Sequence, residues 1–438
     1  MSVFEIYLRG NITLKIVHRR HKVRKSLKLS VLDASAYAAM LGLTQNYITP
    51  LALELKATTA QIGLLASVPS FTMALSQLAT PDLSERAGSR KGLILPVVFM
   101  HAVMFVPILL VPYIFYVSQV WWLIGLVTIS AVLGSVANPA WGSMMADLVP
   151  IRLRGRYFSS RGRIAGIITL IFTFVGGGIL QLFTGNIFMG FAILFGGATL
   201  FRLLSFYFLY GMYEPAELNE KEKGPSMVSM LRNLSSSNLG KFTLYVALIS
   251  LCTNIASPFF TVYMLRDLKF NYTIYTIIIS FASLASLFFQ PFWGRRADMA
   301  GNIKVIRVTS IIIPFVPLLW LGSYNVIYLI AAEIVSGFAW SGFMLASTNF
   351  LYDATEAKNR TKYIALYNAM NGVAVCLGAL IGGYIVPHLP VVLGYQMRTL
   401  FTVSGVLRGI VVLLLLRQIM EVRQVSKMTF SQFLLGRF

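Results

Sequence analysis

The chain has 438 residues, of which 57% are hydrophobic and only 12% are charged, and its formal net charge is +21. Soluble domains carry roughly 25% charged residues, so this composition excludes an ordinary soluble domain. It also argues against a soluble nucleic-acid binder, whose basic residues would coat a polar surface. Here the basic residues lie between long apolar runs, which predicts a membrane protein with basic cytoplasmic connections.

The first 28 residues end in a basic run from Arg19 to Lys28. Because no apolar core with a small-residue cleavage site precedes this run, we predict no cleavable signal peptide. The run is typical of an arm that lies on anionic lipid headgroups. A solvated tail that only sets the topology is an equally good interpretation.

Beyond this tail, apolar runs of about 20 residues recur, and each is long enough to cross the hydrocarbon core of a bilayer. They predict an all-α membrane protein with twelve spans. Most of the 37 lysines and arginines fall on one side of these spans, which places both termini in the cytoplasm. The predicted spans are 29–50, 58–79, 92–115, 120–147, 160–184, 186–212, 241–264, 273–292, 305–323, 326–353, 363–387 and 397–416.

One pattern of charged residues and glycines occurs twice, with a constant offset of 206 positions. It predicts two copies of one unit in the same orientation, an N half at 29–212 and a C half at 241–416, joined by a polar linker at 213–240. The tail at 417–438 has the apolar spacing of an interfacial helix, although a frayed tail fits equally well. The matched pairs are Asp147 with Asp353, Arg154 with Arg360, Arg156 with Lys362, Tyr157 with Tyr363, Gly166 with Gly372, Gly176 with Gly382, Gly177 with Gly383, and Arg202 with Arg408.

The loops after spans 2 and 8 share a second pattern, in which an acidic residue precedes a glycine by three positions and basic residues follow. These loops resemble the signature of the major facilitator superfamily, which runs Gly, three residues, Asp-Arg, any residue, Gly, and then Arg or Lys. The first loop has Pro81 and Glu85 where that signature has glycine and aspartate, and the second has Met299 where it has arginine. The residues that keep the signature are Arg86, Gly88 and Arg90 in the first loop, and Gly294, Asp298 and Gly301 in the second.

The resemblance covers residues 29–416 and implies two pseudo-symmetric six-helix bundles that transport a solute by alternating access. It also implies that spans 1, 4, 7 and 10 line a central cavity. Polar and aromatic side chains on these spans and on span 11 are therefore candidate solute ligands, although each also fits a helix–helix contact. The candidates mostly break the repeat, since Asn138 matches Met344 and Trp141 matches Ser347. They are Tyr37, Gln45, Asn46, Asn138, Trp141, Thr253, Asn254, Trp340, Asn368 and Asn371.

The charges at the cytoplasmic ends of the spans predict a gate. A carboxylate there can accept hydrogen bonds from a neighbouring helix N-terminus, and arginine can pair with carboxylates through two donors. An alternative is that these charges only anchor the loops at the headgroups. The predicted partners are Arg86 or Arg90 for Asp147, and Arg295 or Arg296 for Asp353. The predicted gate consists of Glu85, Arg86, Gly88, Arg90, Asp147, Arg154, Gly294, Asp298, Gly301, Asp353 and Arg360.

Several ionisable residues lie within the spans. Arg202 and Arg408 lie roughly 15 Å from the cytoplasmic ends, near the middle of the bilayer. Because the resemblance places spans 6 and 12 at the periphery, we predict buried structural charges, with an anionic-solute role as the alternative. Glu333 is the candidate for proton coupling, because a desolvated carboxylate can load and release a proton, and a hydrogen-bonded structural glutamate is the alternative. We predict a structural role for His101 and helix capping for Asp33.

No motif for catalysis or nucleotide binding is present, and Cys252 and Cys376 form neither a metal-ligand spacing nor a disulfide framework. We therefore predict no enzyme activity, no cofactor and no metal site. The predicted function is proton-coupled export of a small organic solute by a monomeric secondary transporter of the plasma or inner membrane, without nucleic acid as a partner. A facilitator and a non-transporting receptor or scaffold are the alternatives.

Overall fold

The computed structural model describes residues 3–150, 153–215, 237–355, 360–391 and 394–423, without the side chains of 3–20, 77–82, 84–85 and 360–362. Nearly all of this described chain is α-helical. In chain order the helices are α1 (Val3–Thr44), α2 (Ile48–Glu54), α3 (Thr59–Arg86), α4 (Arg90–Val103), α5 (Phe105–Ile114), α6 (Gln119–Leu148), α7 (Arg154–Leu182), α8 (Ile187–Tyr210), α9 (Asn238–Ala256), α10 (Phe259–Val262), α11 (Tyr272–Ala300), α12 (Asn302–Ile312), α13 (Phe315–Gly322), α14 (Val326–Asp353), α15 (Arg360–Ile385) and α16 (Gln396–Leu415).

Four of the predicted spans are interrupted, and prolines lie at or just beyond the interruptions. Proline lacks a backbone N–H and its ring clashes with the carbonyl four residues earlier, which favours a kink or a break in the preceding turn. Pro107 and Pro317 lie about one turn beyond the ends of α4 and α12, and Pro258 directly precedes α10. The pairs α4–α5, α9–α10 and α12–α13 each lie in one candidate span, and α1–α2 covers the first predicted span with a break after Thr44.

Ten segments of the described chain are long and apolar enough to cross a membrane. They comprise α4–α5, α6, α7, α8, α9–α10 with the π-helical turn that follows it, α11, α12–α13, α14, α15 and α16. The two other long helices, α1 with 42 residues and α3 with 28 residues, cover the first two predicted spans. The prediction of an all-α membrane protein is confirmed, and the helices are consistent with twelve spans.

The helix ends define two faces of the molecule. We call the face at which α3, α6 and α8 end the basic face, and the other the opposite face. At the opposite face, one hydrophobic core includes Tyr47 of the N half together with Tyr275 of the C half. Toward the basic face, the core divides into an N-half cluster and a separate C-half cluster. The two halves therefore pack together at the opposite face and diverge toward the basic face.

Three sequence boundaries differ from the prediction. Helix α1 passes through Asp33 without a break, so the prediction that Asp33 caps a helix start is wrong. Helix α9 begins at Asn238, inside the predicted linker, because the Ser237 hydroxyl accepts from the Gly240 N–H and caps the helix. In the C-terminal tail, 419–423 are not helical and 424–438 lie outside the described residues, so the interfacial helix stays a prediction.

Candidate solute site and gates

Three described hydrogen bonds between the two halves lie at the opposite face, and a fourth joins the side chains of Cys376 on α15 and Ser67 on α3 deeper between the halves. The Tyr272 hydroxyl donates to Glu54 Oε1 at 2.6 Å, and the Tyr275 hydroxyl donates to the Asn46 carbonyl at 2.8 Å. A third contact joins the Tyr47 hydroxyl to Thr276 Oγ1 at 3.2 Å. These bonds join the end of the first span and α2 to the start of α11, and they close this face.

Two repeated glycines allow the halves to approach each other next to these bonds. A Cβ atom at Gly177 on α7 would overlap the Thr276 side chain on α11. A Cβ atom at Gly383 on α15 would lie 3.0 Å from the Gly63 Cα atom on α3. The two glycines of this repeat pair therefore permit equivalent close helix crossings between the halves. Gly177 permits the crossing of α7 with α11, and Gly383 permits the crossing of α15 with α3.

On the basic face of the N half, Arg90 at the start of α4 holds several groups together. Its Nη1 atom donates to Asp147 Oδ2 at 2.7 Å and to Ser143 Oγ at 3.0 Å. Its backbone N–H donates to Glu214 Oε1 at 2.8 Å, where the helix dipole favours a negative charge. Pairing of Asp147 with Arg90 is one of the two pairings predicted from sequence, whereas the contribution of Glu214 was not predicted.

The matching region of the C half uses different residues. Asp353 accepts from Arg423 Nε at 2.7 Å and from Asn302 Nδ2 at 2.7 Å. Glu421 Oε2 accepts from the Ile303 N–H at 2.8 Å, at the start of α12. The hydrogen bond from Arg423 to Asp353 raises the pKa of this arginine. The segment after α16 thus folds back over the start of α12 and the end of α14.

The predicted pairing of Asp353 with Arg295 or Arg296 is wrong. The returning segment brings the guanidinium of Arg423 to the carboxylate first, and the Arg296 guanidinium lies 4.3 Å from the Phe292 ring centroid. Sequence alone could not find this contact, because 70 positions separate the two partners and no periodicity links them.

The other predicted gate residues divide into turn, capping and exposed positions. Gly88 and Gly301 have positive φ angles of 69° and 87°, as the tight-turn interpretation requires. The Arg154 guanidinium donates to the carbonyls of Ala146 and Val149 and so covers the end of α6. Asp298 is 77% exposed and lies 4.0 Å from Arg423. Arg86 is exposed, Gly294 lies within α11, and the side chains of Glu85 and Arg360 are outside the described set.

A cavity of about 110 Å³ lies inside the N half, between α1, α4, α6, α7 and α8. It lies nearer the basic face than the opposite face, since its residues on α6 and α8 are within three turns of the basic-face ends of these helices. Three of the predicted solute ligands line it, namely Tyr37, Asn138 and Trp141. Charged side chains of Asp33, Arg161 and Arg202 and apolar side chains of Ile94, Val98, Ala137 and Leu209 complete the wall.

Asp33 and Arg161 form an ion pair on this wall. Asp33 is only 4% exposed, and its Oδ2 atom accepts from Arg161 Nη2 at 3.3 Å. Arg161 Nε donates to the Ser30 carbonyl at 3.1 Å, and the guanidinium lies 4.2 Å from the centroid of the Trp141 ring. The carboxylate, the carbonyl and the ring together fix the position of the arginine.

Arg202 extends the same network from α8. Its Nε atom donates to His101 Nδ1 at 3.1 Å, and its Nη1 atom donates to Ser205 Oγ at 3.0 Å. The Ser205 hydroxyl in turn donates to Asp33 Oδ1 at 2.7 Å. The guanidinium also lies 4.7 Å from the centroid of the Tyr37 ring. Arg202 therefore has structural contacts, as expected, but it also lines a cavity, which the peripheral position of its span did not predict.

Arg161 is the charged cavity residue that the sequence analysis missed. It lies at the start of the predicted fifth span and was therefore counted among the cytoplasmic cations. In the structure α7 begins at Arg154, so Arg161 is two turns inside the helix. The available signal was this depth, but sequence-based span boundaries are uncertain by several residues and concealed it.

The other predicted solute ligands lie outside this cavity. Gln45 and Asn46 lie where α1 gives way to α2, toward the opposite face. In the C half, Asn254 donates to the Ser250 carbonyl, Thr253 accepts from Arg408 through its carbonyl, and Trp340 packs against Phe343. Asn368 is exposed on α15, and the buried Asn371 Oδ1 atom has no described partner.

The two remaining predicted charges lie in the C half. Glu333 is half-buried on α14, about two turns from the opposite face, and no described residue makes a hydrogen bond or an ion pair with it. Arg408 is 1% exposed and donates to Ser404 Oγ at 3.1 Å and to the Ile313 and Thr253 carbonyls at 3.3 and 3.4 Å. These partners are consistent with the predicted structural role of Arg408.

The fold is similar to that of solved transporters. A mutant form of the nucleoside transporter NupG is 13% identical to this chain and superposes with a TM-score of 0.71, covering 90% of this chain and 100% of that one. A D-xylose-proton symporter is 12% identical with a TM-score of 0.70, over 92% of this chain and 99% of that one. At sequence identities this low, the structural similarity shows that this chain shares the fold of these transporters.

Two curated fungal relatives match shorter stretches of sequence. The MFS-type transporter gkaD of Penicillium citrinum is 26% identical over 116 residues, which are 26% of this chain and 20% of that protein. The efflux pump dotC of Dothistroma septosporum is 27% identical over 109 residues, 25% of this chain and 19% of that protein. The matched stretches therefore span about a fifth of these relatives.

The family model provides the broadest match. The model of the Major Facilitator Superfamily matches residues 34–252 and 242–429, which together are nearly the whole chain. This match agrees with the all-α membrane fold and with the two signature loops. The chain is a multi-pass membrane protein that belongs to the Major Facilitator Superfamily of transporters.

Proposed function

We propose that this protein is a secondary transporter that moves a small organic solute across the membrane by alternating access. The observation that carries the proposal is the division of the hydrophobic core, which is shared at the opposite face and split toward the basic face. Such an arrangement exposes the space between the halves to one side only. Rocking of the two halves about the contacts would expose the space to the other side.

We assign the basic face to the cytoplasm of the plasma or inner membrane. The support is the concentration of lysine and arginine in the connections of that face. Both termini are then cytoplasmic, and the basic run before Lys28 lies where it can contact anionic headgroups. In this orientation we interpret the arrangement as open to the cytoplasm, with the bonds of Tyr272 and Tyr275 closing the outer side.

We propose that the charge networks on the basic face form the cytoplasmic gate. Arg90, Asp147 and Glu214 bind the ends of three N-half helices together, and Asp353, Glu421 and Arg423 do so in the C half. All of these bonds lie within one half. They would keep each half rigid while the halves move, and new contacts between the halves would form on closure.

Export coupled to protons is the direction and energy source that we propose. One matched relative is named an efflux pump, which supports export. Glu333 supports proton coupling, because it is a half-buried carboxylate with no described cationic partner on a helix that reaches the shared core. Without such a partner, protonation relieves the cost of desolvating its charge.

The test is flux through the purified protein in proteoliposomes, followed for a panel of small organic solutes with and without a pH gradient. The proposal expects solute movement that an imposed gradient accelerates. Movement that ignores the gradient would indicate a facilitator, and absence of flux for the whole panel would favour a receptor or scaffold. Glu333→Gln is expected to abolish gradient-driven flux while sparing solute exchange, and unchanged driven flux would exclude Glu333 as the coupling residue.

A further inference from the structure

The walls of the N-half cavity carry more positive than negative charge. Asp33 is its one carboxylate, whereas Arg161 and Arg202 both line it. Because Arg202 donates to His101 Nδ1, this nitrogen carries no proton and the imidazole is neutral. The described cavity therefore has an excess of one positive charge in a low-dielectric environment, and such a charge is costly without a counter-ion.

The two guanidinium groups also keep donors that the protein does not use. Arg161 bonds through Nε and one Nη atom, and Arg202 bonds through Nε and one Nη atom. The second Nη atom of each makes no hydrogen bond to any described residue. The Trp141 Nε1–H, in the wall of the same cavity, is buried without an acceptor. Three donor nitrogen atoms on residues that line the cavity thus lack a partner among the described residues, and the Asn138 amide adds a fourth polar group.

The remaining wall is apolar, being made of Ile94, Val98, Ala137 and Leu209. A cavity of about 110 Å³ is smaller than a typical pocket for a drug-sized ligand, so it suits one end of a molecule. We propose that it binds the carboxylate end of a small organic anion, with the rest of the solute extending past Asn138 into the space between the halves. This assignment rests on the proposed transport function, for which it names the solute class.

The chemistry of the groups favours a carboxylate over a hydrated inorganic anion. Arginine offers two donors in a planar fork that matches the two oxygens of a carboxylate. The apolar side chains cannot replace the hydration shell of a sulfate ion, but they can contact the carbon skeleton next to a carboxylate. Asp33 holds Arg161 in place and repels a second anion, so we expect one anion for each protein molecule.

The test compares three probes of similar size, benzoate, benzamide and benzylamine, in titration calorimetry on the full-length protein in detergent at neutral pH. The proposal expects benzoate to bind more tightly than benzamide by about tenfold, and benzylamine to bind least, because only benzoate neutralises the excess charge. Sulfate is expected to bind more weakly than benzoate. Equal affinities for benzoate and benzamide would overturn the proposal, and so would tighter binding of sulfate.

Variants localise the site. Arg161→Gln and Arg202→Gln are each expected to weaken benzoate binding by about tenfold or more. The matched control is Arg163→Gln, since Arg163 is an exposed arginine on the same helix, and we expect no change. Trp141→Phe removes one donor but keeps a ring, so it tests the site even if an arginine variant fails to fold. Unchanged benzoate binding in Trp141→Phe and in every folded arginine variant would overturn the proposal.

This experiment is independent of flux. If benzoate binds as expected but no solute moves in proteoliposomes, the anion site stands and the transport function fails. If a neutral solute moves equally well through the wild-type protein and Arg202→Gln, while benzoate binds no better than benzamide, transport stands and the anion site fails.

Discussion

The two halves of the molecule share the glycines at their mutual contacts but differ in the side chains of their interiors. Gly177 and its repeat partner Gly383 both lie at close crossings between the halves. Arg202 and its partner Arg408 do not match in surroundings, since Arg202 borders a cavity and Arg408 is satisfied by carbonyls and a hydroxyl. The glycines of this repeated pair thus lie where the halves contact each other, whereas residues that differ between the halves line the candidate solute site.

Several N-half cavity residues differ in type from the residues at the repeated positions of the C half. With the same offset, Arg161 corresponds to Tyr367, Trp141 to Ser347, and Ser205 to Val411. None of these C-half residues can supply the donors that line the N-half cavity in the same way. The comparison therefore predicts that solute contacts are concentrated in the N half, and that variants at repeated positions in the two halves affect conformation alike.

The largest expected effect concerns the glycine crossings. Gly177→Leu and Gly383→Leu should each prevent closure of the opposite face and reduce flux by about tenfold or more, because overpacking costs about 1–3 kcal/mol. Flux in proteoliposomes and cysteine accessibility at the two faces measure this effect. Gly178→Leu is the matched control, because nothing lies near a Cβ atom at that position. Normal flux in either crossing variant would contradict the assigned role of that crossing.

A second prediction concerns the contribution of the Asp33–Arg161 ion pair in the N half to the stability of the protein. Asp33→Asn leaves Arg161 without its carboxylate partner, so the free energy of unfolding should fall by about 3 kcal/mol. Benzoate should restore more stability in this variant than in the wild-type protein, because it supplies the missing negative charge. Thermal unfolding in detergent with and without benzoate measures both effects. Asp298→Asn, at an exposed carboxylate, is the control and should change stability by less than about 0.5 kcal/mol.

A smaller effect is expected at the two glutamates that accept from helix N-termini. Glu214→Gln and Glu421→Gln should each lower the free energy of unfolding by about 1 kcal/mol, since the amide keeps an acceptor but loses the charge that the helix dipole favours. The two values should be similar, because the two halves use these carboxylates in the same way. A large loss of stability in only one of the two variants would show that the two carboxylates are not equivalent.

The smallest effect is expected for the gate aspartates. Asp147→Asn and Asp353→Asn weaken half-exposed ion pairs, and such pairs contribute about 0.2–1 kcal/mol. Because these carboxylates would also join the contacts between the halves that form on closure, each variant should shift the balance between the cytoplasm-open and outward-open arrangements by up to about fivefold. Accessibility of cysteines introduced on the two faces measures this balance. An unaltered balance in both variants would mean that the charges only anchor the loops.

Sequence alone was sufficient for the fold, because apolar runs and a long repeat are properties of consecutive residues. Together with the family resemblance it also singled out Tyr37, Asn138 and Trp141, which line the N-half cavity, and their role as solute ligands stays a prediction. It could not find the pairing of Asp353 with Arg423, which depends on a chain reversal after the last span. It misjudged Asp33 because a serine and an aspartate near a predicted helix start look like a cap, whereas α1 extends far beyond them.

The central claim is that the halves move as units about the closed face, and paired spin labels test it directly. Labels at Lys56 and Lys269 report on the opposite face, and labels at Ser159 and Thr348 report on the basic face, in a background without Cys252 and Cys376. Distances measured by double electron–electron resonance in Gly177→Leu should lengthen at the opposite face and shorten at the basic face, relative to wild type. Lengthening at the opposite face with an unchanged distance at the basic face would contradict alternating access by rocking.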